Sequence, residues 1–72
     1  MSKYNGHKNW NHWNVSLWIN NDEGLYNLAK DCISRAGSKD QGAVLFMGYC
    51  PINTPDGAPY SVSSIRAAMV GM

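Results

Sequence analysis

The sequence predicts a single all-α domain of about four short helices, and three features point there. Apolar residues between positions 25 and 36 recur at helical spacing, Leu25, Leu28, Ala29, Cys32, Ile33 and Ala36 forming one stripe. Good N-cap residues stand ahead of each apolar segment, at Asn9, Asp22, Ser38 and Ser61. All three prolines fall between Cys50 and Tyr60, so helix-breaking chemistry is confined to one loop. The chain has 72 residues, enough for one domain.

The first helix is expected from about Trp10 to about Ile19, capped by Asn9 and stopped by Asn20 and Asn21. Seven of the eight Asn residues lie in the first 27 positions, where amides that compete with helical backbone bonding serve best at caps and turns. In helical projection Trp10, Trp13, Leu17 and Trp18 share one face with Asn14 in its middle, and Val15 and Ile19 point to the other side near His12. The aromatic face is read as the contact with helices two and four. Asn14, as a buried amide, is expected to hydrogen-bond a loop backbone and so serve as a structural polar anchor. That leaves the second apolar side without an obvious partner in the chain except the third segment. His12, Val15 and Ile19, joined by Tyr26, are therefore the candidate protein-binding residues.

Helix two begins at Asp22 with Glu23 in the favourable first turn. Its outer face holds Asn27, Lys30, Asp31 and Ser34, with Asp31 and Arg35 spaced for an i, i+4 pair. Gly37 suits the left-handed residue that ends a helix. Ser38-Lys39-Asp40-Gln41 then reads as a capping box, Gln41 reaching back, for a third helix through Ala43, Val44, Phe46 and Met47 to about Tyr49. Because Ala43 to Tyr49 is apolar on every side and flanked by Gly42 and Gly48, a strand in a small α+β fold is the alternative. A loop with the turn Pro55-Asp56-Gly57 follows. Ser61 caps the last helix, whose expected stripe is Val62, Ile65 and Met69, with the Arg66 stem beside it.

Size limits the chemistry. Surface scaling gives roughly 4,500 Å² exposed when folded. At roughly 25 cal/mol/Å², burial contributes on the order of 107 kcal/mol against on the order of 108 kcal/mol of ordering cost. A deep catalytic cleft would remove core that this balance requires, so no enzyme and no catalytic residue is expected. Two His and two Cys have the donors for zinc, but His7 and His12 lie five apart and Cys32 and Cys50 are isolated, unlike the close ligand pairs of structural sites. No metal or other cofactor is expected. Cys32, in the middle of the apolar stripe, is read as core, and Cys50 as the more exposed thiol.

Six Lys and Arg against five Asp and Glu leave a net charge of +1, far from the basic face of a nucleic-acid binder. A helix-turn-helix reading of helices two and three would make Lys39 to Tyr49 the recognition helix, with Val, Leu, Phe and Met where base-reading polar groups belong. The N-terminus shows no signal-peptide pattern, and the longest apolar run, Ala43 to Met47, is too short for a membrane span. Two cysteines do not make a disulfide scaffold, so a cytoplasmic protein is expected.

Tyr4-Asn5-Gly6, Asn9-Trp10, Trp13-Asn14-Val15-Ser16-Leu17-Trp18-Ile19, Asn21-Asp22-Glu23 and Leu25-Tyr26, with Thr54-Pro55-Asp56-Gly57, Tyr60-Ser61 and Ile65-Arg66, resemble a family of small uncharacterised proteins of tailed bacteriophages and plasmids. Its box has the form N-x-x-T-W-N-V-A-L-W-I-x-N-D-E-x-L-Y. The resemblance covers about half of the chain; His12 replaces a common Thr, and Lys39 to Cys50 falls outside the pattern. It implies a mobile-element protein in a bacterial host cytoplasm that binds and inhibits a host protein, such as a restriction, CRISPR or regulatory factor. A homodimer is a further possibility, and a small DNA-associated regulator is the alternative reading.

Overall fold

A computed structural model describes residues 9–72 of the chain. Four helices follow in order: α1 (Trp10–Asn21), α2 (Glu23–Ala36), α3 (Lys39–Met47) and α4 (Val62–Ala68). The expected all-α architecture is the one found. Ala43 to Met47 is helical, and the described residues form no strand beyond an isolated bridge between Asn53 and Pro59.

The caps account for the boundaries. Side chains of Asn9, Asp22 and Ser38 accept from the backbone N–H groups of His12, Leu25 and Gln41. Gly37 closes α2 at φ +83°, and its N–H donates to the Ile33 carbonyl. The reciprocal capping box forms at α4: the Ser61 hydroxyl accepts from Ser64 N–H, and the Ser64 hydroxyl accepts from Ser61 N–H. Asp31 and Arg35 pair at 2.9 Å on the outer face of α2.

The helices pack in a ring, α1 on α2, α2 on α3, α3 on α4 and α4 on α1, with the closest associations α2–α3 and α1–α4. The core at the centre gathers Val15 and Ile19 from α1, Ala29 and Cys32 from α2, Ala43 and Phe46 from α3, and Ile65, Ala68 and Met69 from α4 and its end. Ala58 and Tyr60 from the loop complete it, the Tyr60 ring 6.4 Å from that of Phe46. The chain's accessible surface of 4385 Å² agrees with the scaling expectation. At Gly42 an added Cβ would lie 2.9 Å from Ile33 Cα, so the missing side chain sets how closely α2 and α3 approach. Arg66 Nε donates to Asp40 Oδ1 at 2.7 Å and links α4 to α3.

Two burial expectations are corrected. Val62 is exposed, and Ser64 occupies the buried position beside Ile65. A buried hydroxyl costs little there because the capping box and the Ser61 carbonyl satisfy it.

The larger correction concerns α1. Val15 and Ile19 are 0% exposed, whereas Trp10 and Leu17 are each 39% exposed. α1 is therefore turned relative to expectation. Both sides are apolar, so hydrophobicity alone does not orient the helix. The small and branched residues of α4 allow close approach to Val15 and Ile19, whereas indoles between the two axes would hold them apart.

Candidate functional site

Asn14 is 2% exposed and faces the loop between α3 and α4. That loop is itself braced. Gly57 N–H donates to the Thr54 carbonyl at 2.9 Å, closing a turn over Pro55 and Asp56, and Gly57 takes φ +95°. Thr54 N–H donates to the Ala58 carbonyl at 2.8 Å, and Tyr60 N–H to the Ile52 carbonyl at 3.1 Å.

The amide of Asn14 joins this turn to α1 through both ends. Its Nδ2 donates to Asp56 Oδ2 at 2.9 Å, and its Oδ1 accepts from the Thr54 hydroxyl at 2.6 Å. Thr54 Oγ1 in turn accepts from Ala58 N–H at 3.0 Å. The Trp18 indole Nε1 also donates to Asp56 Oδ2, at 3.0 Å. The expected partner of Asn14 was loop backbone; here it meets two side chains, and Thr54 passes the bond on to the backbone. Hydrogen bonds from Asn14 and then Trp18 hold the Asp56 carboxyl below its ordinary titration range, so it is a carboxylate at neutral pH.

Around this junction lies the outward side of α1, with Trp10 and Leu17 exposed and Trp13 and Trp18 half-buried. Residues 9–21 contain no Asp, Glu, Lys or Arg, and Asp56 is the single charged residue between positions 41 and 65. The junction thus presents the Asp56 carboxylate beside the indole, Leu and amide groups of α1.

The residues expected to bind a partner do not form a patch. Val15 and Ile19 are fully buried in the core and unable to touch another molecule in this fold. His12 is half-buried, with Nε2 3.2 Å from the Ser63 hydroxyl at the start of α4. Tyr26 is half-buried on α2, its ring 5.4 Å from Lys30 Nζ. Sequence reasoning missed Thr54 and Asp56 as partners of Asn14, and the Trp18 N–H as a second donor to Asp56. The available signal was a buried amide on α1 together with a loop rich in side-chain hydrogen-bonding groups.

Other chemistry-bearing groups lie apart. Cys32 is buried and Cys50 half-buried, and burial raises both thiols above their ordinary range. Among the described residues no three His, Cys, Asp or Glu side chains converge on a point; His7 lies outside the described residues. A shallow open depression between α2 and α3 is lined by Arg35, Ala36, Gln41, Val44 and Leu45. No helix among the described residues is long and apolar enough to cross a membrane.

A family of unknown function, DUF7249, matches residues 1–70, and the chain belongs to that family. Among curated proteins and among solved structures, nothing matches the chain.

Proposed function

We propose that this DUF7249 protein is a non-enzymatic binding domain of a phage or other mobile element, acting in the bacterial cytoplasm by engaging a host defence or regulatory protein. The observation that carries this reading is the outward side of α1. In a chain this small, Trp10 and Leu17 stay exposed although Val15 and Ile19 of the same helix are fully buried. Large apolar side chains gathered on one exposed face mark contact surfaces, and Trp is enriched among binding hot spots. The braced 54–58 turn holds the neighbouring surface in one shape, which lowers the entropy lost on association. The resemblance to phage and plasmid proteins supports the proposed origin.

The test is affinity purification from a bacterial host with the wild type and with a Trp10→Ala, Leu17→Ala double variant, followed by reconstitution of any captured protein with purified components. The expected result is one protein held by the wild type and released by the variant, with the variant's helical circular dichroism unchanged. Equal retention by both overturns the reading. Salt-sensitive binding to duplex DNA would replace it with the DNA-associated one.

A further inference from the structure

We propose that Asp56 is the docking point for an arginine side chain of the partner protein, a proposal that rests on reading the outward side of α1 as the contact surface. Both hydrogen bonds to the carboxylate fall on Oδ2, from Asn14 Nδ2 at 2.9 Å and Trp18 Nε1 at 3.0 Å. Among the described residues no donor reaches Oδ1. Asp56 is an exposed residue on a braced turn, so its geometry exists before any partner arrives.

The surroundings define the chemistry of the occupant. Among the described residues the ion pairs, Asp31 with Arg35 and Asp40 with Arg66, lie on α2, α3 and α4. A partner laid across α1 and the turn would strip water from the Asp56 carboxylate, the one Asp, Glu, Lys or Arg side chain within residues 9–21 and 41–65. Burying an unpaired carboxylate is costly, so a partner that binds here brings a positive group to it. Phosphate backbones would be repelled at the same point, which disfavours nucleic acid on this face.

A guanidinium fits better than an ammonium. The Trp18 N–H bond to Oδ2 sets the carboxylate at the edge of a half-buried indole. A planar guanidinium can donate to Oδ1 and stack on indole at once, whereas a lysine ammonium is a strongly hydrated point charge without a stacking plane. Asn14 and Trp18 act as positioning residues, fixing the carboxylate so that one oxygen stays outward.

The experiment pans a phage-displayed random peptide library against the full-length wild type, then measures selected peptides by titration on the wild type and on Asp56→Asn. Asparagine keeps a side-chain oxygen that can accept from Asn14 and Trp18 while removing the charge. Selected peptides are expected to carry Arg beside apolar residues. Replacing that Arg by citrulline, its neutral isostere, should weaken binding to the wild type about tenfold or more and barely alter binding to Asp56→Asn. Replacement by Lys should fall between. Should Asp56→Asn not fold, the citrulline loss on the wild type, with movement of the Trp18 indole N–H resonance on binding, decides the matter alone. Selected peptides without Arg enrichment, or a citrulline change without effect on the wild type, overturn the arginine docking while leaving the contact surface standing. Absence of any selected peptide, or binding indifferent to Trp10→Ala with Leu17→Ala, overturns the contact surface and this inference together.

Discussion

Replacing Asn14 by Leu separates the worth of a polar junction from that of apolar burial. Leucine keeps the branching at Cγ and is more hydrophobic, so a purely apolar account of the core predicts equal or higher stability. The hydrogen bonds predict the reverse. The hydroxyl of Thr54, a residue only 4% exposed, loses the oxygen that accepts its proton at 2.6 Å, while continuing to accept from Ala58 N–H. An orphaned buried donor costs about 1–3 kcal/mol. The bond lost at Asp56 adds little, because that side chain is exposed and water replaces the Asn14 donor. The net loss is therefore about 1–3 kcal/mol, a fall in Tm of roughly 5–20 °C for a domain of this size. Thermal unfolding followed by circular dichroism measures it. A cycle with Thr54→Val isolates the pair, and the double variant should cost less than the sum of the singles by about 1 kcal/mol. A Tm at or above wild type would refute the idea that this junction holds the loop to α1.

Val15→Ser with Ile19→Ser removes two fully buried aliphatic side chains, each worth about 2–5 kcal/mol on truncation, and should leave the chain unfolded at 25 °C; a cooperative melt near that of wild type would return these residues to the surface. Gly42→Ala should destabilise by about 1–3 kcal/mol despite the better helix propensity of Ala, because its Cβ would press on the Ile33 backbone; an unchanged or raised Tm counts against that contact. Iodoacetamide should label half-buried Cys50 well before buried Cys32, as read by peptide mass spectrometry, and equal rates would contradict the burial seen here. Asp56 titrates lower folded than unfolded, so its contribution is fully present above its unfolded pKa of about 3.9 and is lost as pH falls through the folded value. The difference in Tm between wild type and Asp56→Asn should then narrow as pH falls below about 4, and a constant difference would rule this linkage out.

Much of the architecture is local and could be read from residue order. Caps at Asn9, Asp22 and Ser38, the stop at Gly37 and the stripe through Ala29 and Cys32 each act within one or two turns of helix, so the sequence alone places the helices and their starts, while α1 runs on to Asn21 and α3 stops at Met47 rather than Tyr49. The same local reasoning identified Asn14 as an amide in need of partners. It could not orient α1, because that helix is apolar on two sides and the choice depends on which face another helix can approach closely. The close packing of α1 on α4 goes with burial of Val15 and Ile19, which removes them from the expected contact surface and leaves Trp10 and Leu17 outward. It could not find the partners of Asn14 either, since Thr54 and Asp56 lie 40 and 42 residues away. Nor could it show that Gly42 is small because Ile33 lies against it. Caps and periodicity are determined by neighbours in sequence; facing sides, buried amide partners and close helix approaches exist only once the helices have closed their ring, and tertiary structure alone decided them.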